Sequence, residues 1–171
     1  MKVWGFIEKI SFILIFFCQI AHAAAHTIGT TACFFLERRL YDFLPGGRPD
    51  PLINPKFLPE LQSKCPKGGD ILVRVPLDHG SGRKFDGKIL RNIQTGFGVI
   101  ETDAKLYTDP STRAVIDSYF GFNGSGTESE PEVRPSFGSD FVESIVKMGM
   151  VGVKAGEDGE IRRVCSQFNW N

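Results

Sequence analysis

Three histidines occur in this chain, and one of them, His26, lies almost where a foldable sequence begins. Upstream of it there is little but an apolar leader. Around it runs Ala25-His26-Thr27-Ile28-Gly29-Thr30-Thr31-Ala32-Cys33. A histidine, a cysteine seven residues later and scattered aspartates downstream point to a metal or cofactor site. The early position restricts such a site: this sequence can build only one side of it. A lone histidine is ordinarily a surface group or a satisfied core residue, so the surrounding residues must decide its role.

The first 25 residues read as targeting. Lys2 supplies a weak positive start, and residues 10–18 are apolar but too short to span a bilayer comfortably. Ala21-His22-Ala23 fits a small-x-small cleavage pattern, with Ala23-Ala24-Ala25 as the alternative. The expected division is a signal peptide over 1–23, with cleavage as late as 25, and one domain over 24–171. An uncleaved membrane anchor and a buried helix are the competing readings, and Glu8 and Lys9 sit awkwardly for a signal. Roughly 146 to 148 residues would then remain, a length that buries about two-thirds of its unfolded surface. Twenty basic and twenty acidic residues cancel, so no global field points to nucleic acid or anionic lipid. Fifteen phenylalanines against three tyrosines imply an apolar interior or a flat apolar ligand pocket.

Secretion permits disulfides. Cys18 would leave with the leader, so Cys33, Cys65 and Cys165 remain, an odd number that suggests one pair and one orphan.

Helical patterns dominate, and the fold class is mainly α. Residues 30–41 place Cys33, Phe34, Leu36, Leu40 and Tyr41 around Glu37, Arg38 and Arg39. Asn54-Pro55 and Asp109-Pro110 each read as a cap followed by the first helical residue. Residues 85–96 end at Gly96, and the helix after Asp109 ends at Gly121. Residues 136–150 set Phe137, Phe141, Ile145 and Met148 on one face. Asp158-Gly159 predicts a short β-hairpin within 152–164. Residues 44–51 and 121–135 read as loops. The second contains the glycosylation sequon Asn123-Gly124-Ser125.

Asp78, Ser81 and Asp86 make an Asp-x-x-Ser-x-x-x-x-Asp run in a polar, turn-rich segment, an oxygen set that suits a hard cation such as calcium. Thr27 could add a hydroxyl. Asp103 could accept a proton from a ring nitrogen of His26. Taken singly, these acids are ordinary solvated surface groups.

Together the residues resemble the C-terminal, proximal half of a class III plant secretory haem peroxidase. Ala25-His26-Thr27-Ile28-Gly29 resembles that family's proximal haem-ligand signature. Leu40-Tyr41-Asp42-Phe43, Asn54-Pro55-Lys56-Phe57-Leu58, Phe85-Asp86, Thr102-Asp103, Asp109-Pro110-Ser111-Thr112, Lys147-Met148 and residues 159–165 follow in family order. The resemblance runs from about Ala24 to Asn169.

It implies the proximal half of the plant haem-peroxidase fold, with haem b and one calcium ion as cofactors. His26 would be the axial ligand of the iron. Asp103 would bond that histidine, adding electron density to the imidazole and favouring O–O cleavage. Thr27, Asp78, Ser81, Asp86 and the carbonyl of Lys84 would hold the calcium, and Leu77 would lie near the proximal haem face. Cys33 and Cys65 would form the family disulfide, leaving Cys165 unpaired.

The resemblance further implies oxidation of phenolic donors by hydrogen peroxide, in a protein exported to the extracellular space, cell wall or vacuole. No stable membrane span and no nucleic-acid partner are expected, and the sequence is silent on oligomeric state. The family's distal histidine and arginine motif has no copy in this sequence, so no catalytic residue is assigned and activity of this chain alone is not expected. The rival reading is a non-catalytic secreted module, stabilised by calcium and one disulfide.

Overall fold

The computed structural model describes residues 23–121 and 136–169. Six α-helices carry most of the order: α1 (Glu37–Tyr41), α2 (Leu58–Lys64), α3 (Lys88–Gln94), α4 (Glu101–Lys105), α5 (Pro110–Ser118) and α6 (Phe137–Met150). Two short strands, β1 (Thr30–Ala32) and β2 (Arg74–Pro76), pair antiparallel with Thr31 opposite Val75.

Helix boundaries follow local chemistry. The Asp109 side chain accepts from the backbone N–H groups of Ser111 and Thr112, which caps α5. Asn54-Pro55 is not the cap and first residue of α2, which begins at Leu58 after Phe57 with no side-chain cap; Asn54 Oδ1 accepts from the N–H of Lys56 at 2.9 Å in the turn that leads into it, and Leu58 N–H donates to Asn54 O at 3.1 Å. Gly96 follows α3 with φ +79°, in the left-handed region that glycine enters freely. A β-carbon there would come within 3.1 Å of Leu52 O, so the space requires glycine as well.

Two further expectations are corrected. Residues 30–41 do not form one helix: β1 and a 3-10 turn, Cys33–Phe35, precede α1. β-branched Thr30 and Thr31 suit a strand, and Cys33 N–H continues the ladder by donating to Val73 O at 2.8 Å. The hairpin within 152–164 does not form either. Gly156–Asp158 is a 3-10 turn, and residues 151–168 are exposed throughout, so no apolar face is available to dock a ribbon.

Two clusters form the core. One joins the β1–α1–α2 region through Leu36, Leu40, Phe57, Leu61, Val75 and Val99, with the Cys33–Cys65 disulfide inside it at a Cα–Cα distance of 5.3 Å. The other gathers Ile89, Leu90 and Ile93 of α3, Ile116 of α5 and Ala23. Phe137 and Phe141 of α6 lean on Phe85, at ring-centroid distances of 5.2 and 4.9 Å. Cys165 is exposed and has no partner among the described residues. Residues 1–22 of the predicted 1–23 leader and the Asn123 sequon lie outside the described residues.

Candidate functional site

Residues 23–25 are helical, and Ala23 and Ala24 are buried. Their carbonyls accept from the N–H groups of His26 (3.0 Å) and Thr27 (3.2 Å). That turn aims two adjacent side chains into two different environments. Gly29, at φ +117°, then redirects the chain into β1.

His26 faces a cavity of about 530 Å³ lined also by Ala23, Thr102, Asp103, Lys105, Leu106, Asp109 and Thr112. Its Nδ1 lies 3.0 and 3.1 Å from the two oxygens of Asp103, 77 positions away in the chain. A carboxylate only accepts, so Nδ1 carries the proton, and in the neutral imidazole Nε2 keeps its lone pair. The hydrogen bond to Asp103 raises the His26 pKa above the ordinary histidine value, against a smaller opposing effect of burial. Burial raises the Asp103 carboxyl, with His26 pulling the other way. A neutral imidazole with one nitrogen anchored and the other free is the arrangement a metal-ligating histidine uses.

Thr27 is fully buried, and its hydroxyl is crowded by oxygen. Lys84 O lies at 3.1 Å, Asp86 O at 2.8 Å and Asp78 Oδ2 at 3.5 Å. One hydroxyl proton cannot satisfy three acceptors. Ser81 Oγ adds a further oxygen, donating to Asp86 Oδ2 at 2.6 Å. Asp78 is fully buried, and its ordinary pKa of 3.8 is raised to about 6, first by burial and despite a hydrogen bond from Asn92. Oxygens turned toward one another around a buried acid without a cationic partner fit a hard cation. The donors are carboxylates, hydroxyls and carbonyls, the set that calcium prefers over softer metals.

The structure thus brings Thr27, Asp78, Ser81, Lys84 and Asp86 together, and separately His26 and Asp103. Leu77 is half-buried beside them, its N–H donating to Gly29 O at 3.1 Å. Sequence reasoning missed Asn92, whose Nδ2 donates to Asp78 Oδ1 (2.5 Å) and His79 O (3.0 Å). A signal existed: Asn92 sits on the apolar face of α3 between Ile89 and Ile93, where a polar residue needs a partner. His79 belongs to neither site. Its ring packs against both Phe57 and Phe97, which also stack on each other, and reaches Glu60 at 3.1 Å.

A family model described as peroxidase matches residues 20–121, the segment that carries both of these arrangements. The chain belongs to the peroxidase family. Among individual proteins it is similar to Peroxidase 43 of Arabidopsis thaliana, 62% identical over 147 residues, covering 86% of this chain and 43% of the relative. Peroxidase 13 of the same plant is 48% identical over 147 residues, covering 86% of this chain and 42% of the relative. Peroxidase N1 of Nicotiana tabacum is 43% identical over 150 residues, covering 88% and 43%. The chain therefore spans less than half the length of these relatives. Among the described residues no helix is long and apolar enough to cross a membrane.

Proposed function

We propose that this chain forms the axial-ligand side of a haem peroxidase, with His26 as the protein ligand to iron and a calcium ion held by Thr27, Asp78, Ser81, Lys84 and Asp86. Haem, when bound, supplies the redox centre that hydrogen peroxide oxidises and phenolic donors reduce. The observation that carries the reading is the bond between His26 Nδ1 and Asp103, which leaves Nε2 available in the wall of the cavity.

The residues divide the work. Asp103, nearly excluded from solvent, holds the proton on Nδ1 and fixes the ring plane. The bond also makes Nε2 more basic. Thr27 is covalently next to His26, so a cation in its cage would stiffen the turn that aims the imidazole. The Cys33–Cys65 disulfide anchors the far end of the same segment. A disulfide also suits the exported location proposed here, outside the reducing cytosol.

The test is an absorbance titration of the purified chain with haem. A histidine-ligated spectrum at equimolar haem, lost in His26→Ala, supports the proposal. A spectrum identical to that of free haem overturns it. The second reading, a calcium-binding module without catalytic function, is favoured by the oxygen cage alone. It predicts calcium-dependent melting together with no haem spectrum.

A further inference from the structure

Asp103 owes its place to α4, and α4 has only five residues and no side-chain cap. Such a helix does not persist on its own, because nucleation costs more than its few hydrogen bonds contribute. Its position must be imposed from outside. The backbone entering α4 has the Phe97 N–H bonded to Asn92 O and Val99 buried in the core, and one guanidinium nitrogen grips it further: Arg39 Nη1 donates to Gly98 O at 2.6 Å and to Val99 O at 2.5 Å. Arg39 Nε donates to Asp50 Oδ2 at 2.8 Å, with the two side chains 3% and 0% exposed. Asp50 is fixed in turn, its Oδ1 accepting from Leu52 N–H at 2.9 Å and its own N–H donating to Arg39 O at 2.8 Å.

Buried ion pairs are weak sources of net stability. This one carries an added cost, since Arg39 Nη2 is buried without a partner among the described residues. What the pair supplies is geometry. Its Nη1 grips the chain five and four residues before Asp103. The neighbouring Arg38 also reaches α4, pairing with Glu101 at 3.1 Å, but it is exposed, and surface pairs constrain little.

We propose that Arg39, locked by Asp50, is a positioning residue for the His26–Asp103 hydrogen bond. It touches neither partner's bond and does not line the cavity. It acts by setting where α4 lies relative to the turn that carries His26. Lysine at this position keeps the charge but offers one nitrogen where arginine uses two, so it cannot bond Asp50 from the Nε position and both carbonyls from the Nη1 position at once. The proposal rests on His26 and Asp103 being the functional pair, as proposed above, but not on haem being present.

The experiment is NMR of the full-length chain without added cofactor. It reads exchange of the His26 ring N–H with water, and uses the backbone amides of Leu61, Ile93 and Ile116 to report the fold. Asp103→Asn and Arg39→Gln are each expected to speed that exchange about tenfold or more, as loss of a charge-assisted hydrogen bond implies. Arg39→Lys is expected to do the same while the three reporter amides keep their wild-type shifts. If Arg39→Gln does not fold, Arg39→Lys decides. Unchanged exchange in a folded Arg39 variant overturns the proposal. So does faster exchange seen only where the reporter amides move as well, which would mark Arg39 as merely structural. A chain that fails to bind haem would sink the proposed function and leave this result standing.

Discussion

His26 and Thr27 are consecutive, yet they belong to surroundings of opposite character. Thr27 is wholly enclosed, and every oxygen around its hydroxyl comes from this chain. His26 keeps 31% of its side chain exposed in the wall of a cavity and has a partner on one side only. The enclosed cage needs nothing but an ion to act on the fold. Among the described residues, the open wall offers one oriented ring nitrogen. Under the function proposed above, each side can be perturbed with the other as control.

The strongest way to break the comparison is to find chemistry at the open wall. The sequence as it stands holds no copy of the family's distal acid–base residue and arginine. Those groups are worth roughly 10²–10⁴-fold and 10²–10³-fold, so with haem the chain should oxidise guaiacol about 10⁴–10⁷-fold more slowly than an intact family member. Turnover near that of an intact peroxidase, abolished by His26→Ala, would show that one wall suffices.

Next in size is the disulfide on the enclosed side. Cys33 and Cys65 are 32 positions apart, and opening a loop of that length costs roughly 3–4 kcal/mol on the chain-entropy model. Denaturant unfolding of the Cys33→Ser, Cys65→Ser variant should show a loss of that order. Cys165→Ser, at an exposed and unpartnered position, should change stability by no more than about 0.5 kcal/mol.

The cage itself should respond to both calcium and pH. Burial raises Asp78 to about 6, so without a cation the folded state favours the neutral acid. That contribution to stability is complete below the ordinary carboxylate pKa and is lost as pH rises through about 6. A rise of this size corresponds to roughly 3 kcal/mol. In chelator, melting temperature should therefore fall across that window. Calcium selects the ionised form and should restore stability above it, by about 2.7 kcal/mol at a hundredfold excess over its Kd. Asp86→Ala should melt like the chelated protein. A melting curve indifferent to calcium at pH 7.5 would remove the ion from the account.

The smallest expected effect sharpens the comparison. Asp103→Asn should weaken haem affinity about 10–100-fold in an absorbance titration, while the calcium-induced rise in melting temperature stays at its wild-type size. Loss of both together would mean that cage and wall are one unit.

Local signals carried the helices well. Asp109-Pro110 capped α5 as expected, and Gly96 and Gly121 stand just beyond α3 and α5 in left-handed conformations. The strand at Thr30 was hidden because its partner, Arg74–Pro76, lies 44 residues away, and no local period reports a distant ladder. Arg39 was hidden for a similar reason. It reads as a solvated residue beside Arg38, and only Asp50 and two carbonyls about 60 residues on make its burial tolerable. In the cage, Asp78, Ser81 and Asp86 were legible as side chains. Lys84 takes part through a backbone carbonyl, which no side-chain pattern encodes.

The turn before His26 has a consequence for the life of the chain. The peptide bonds after Ala23 and Ala25, the two expected cleavage points, lie inside that hydrogen-bonded turn, and Ala23 packs among Ile89, Leu90, Ile93 and Ile116. A peptidase needs an extended, accessible segment. A cut after Ala25 would leave His26 as a charged amino terminus, stripped of the Ala23 carbonyl that steadies it. A cut after Ala23 would leave the Ala24 carbonyl and its bond to Thr27 N–H in place, so the turn discriminates between the two bonds.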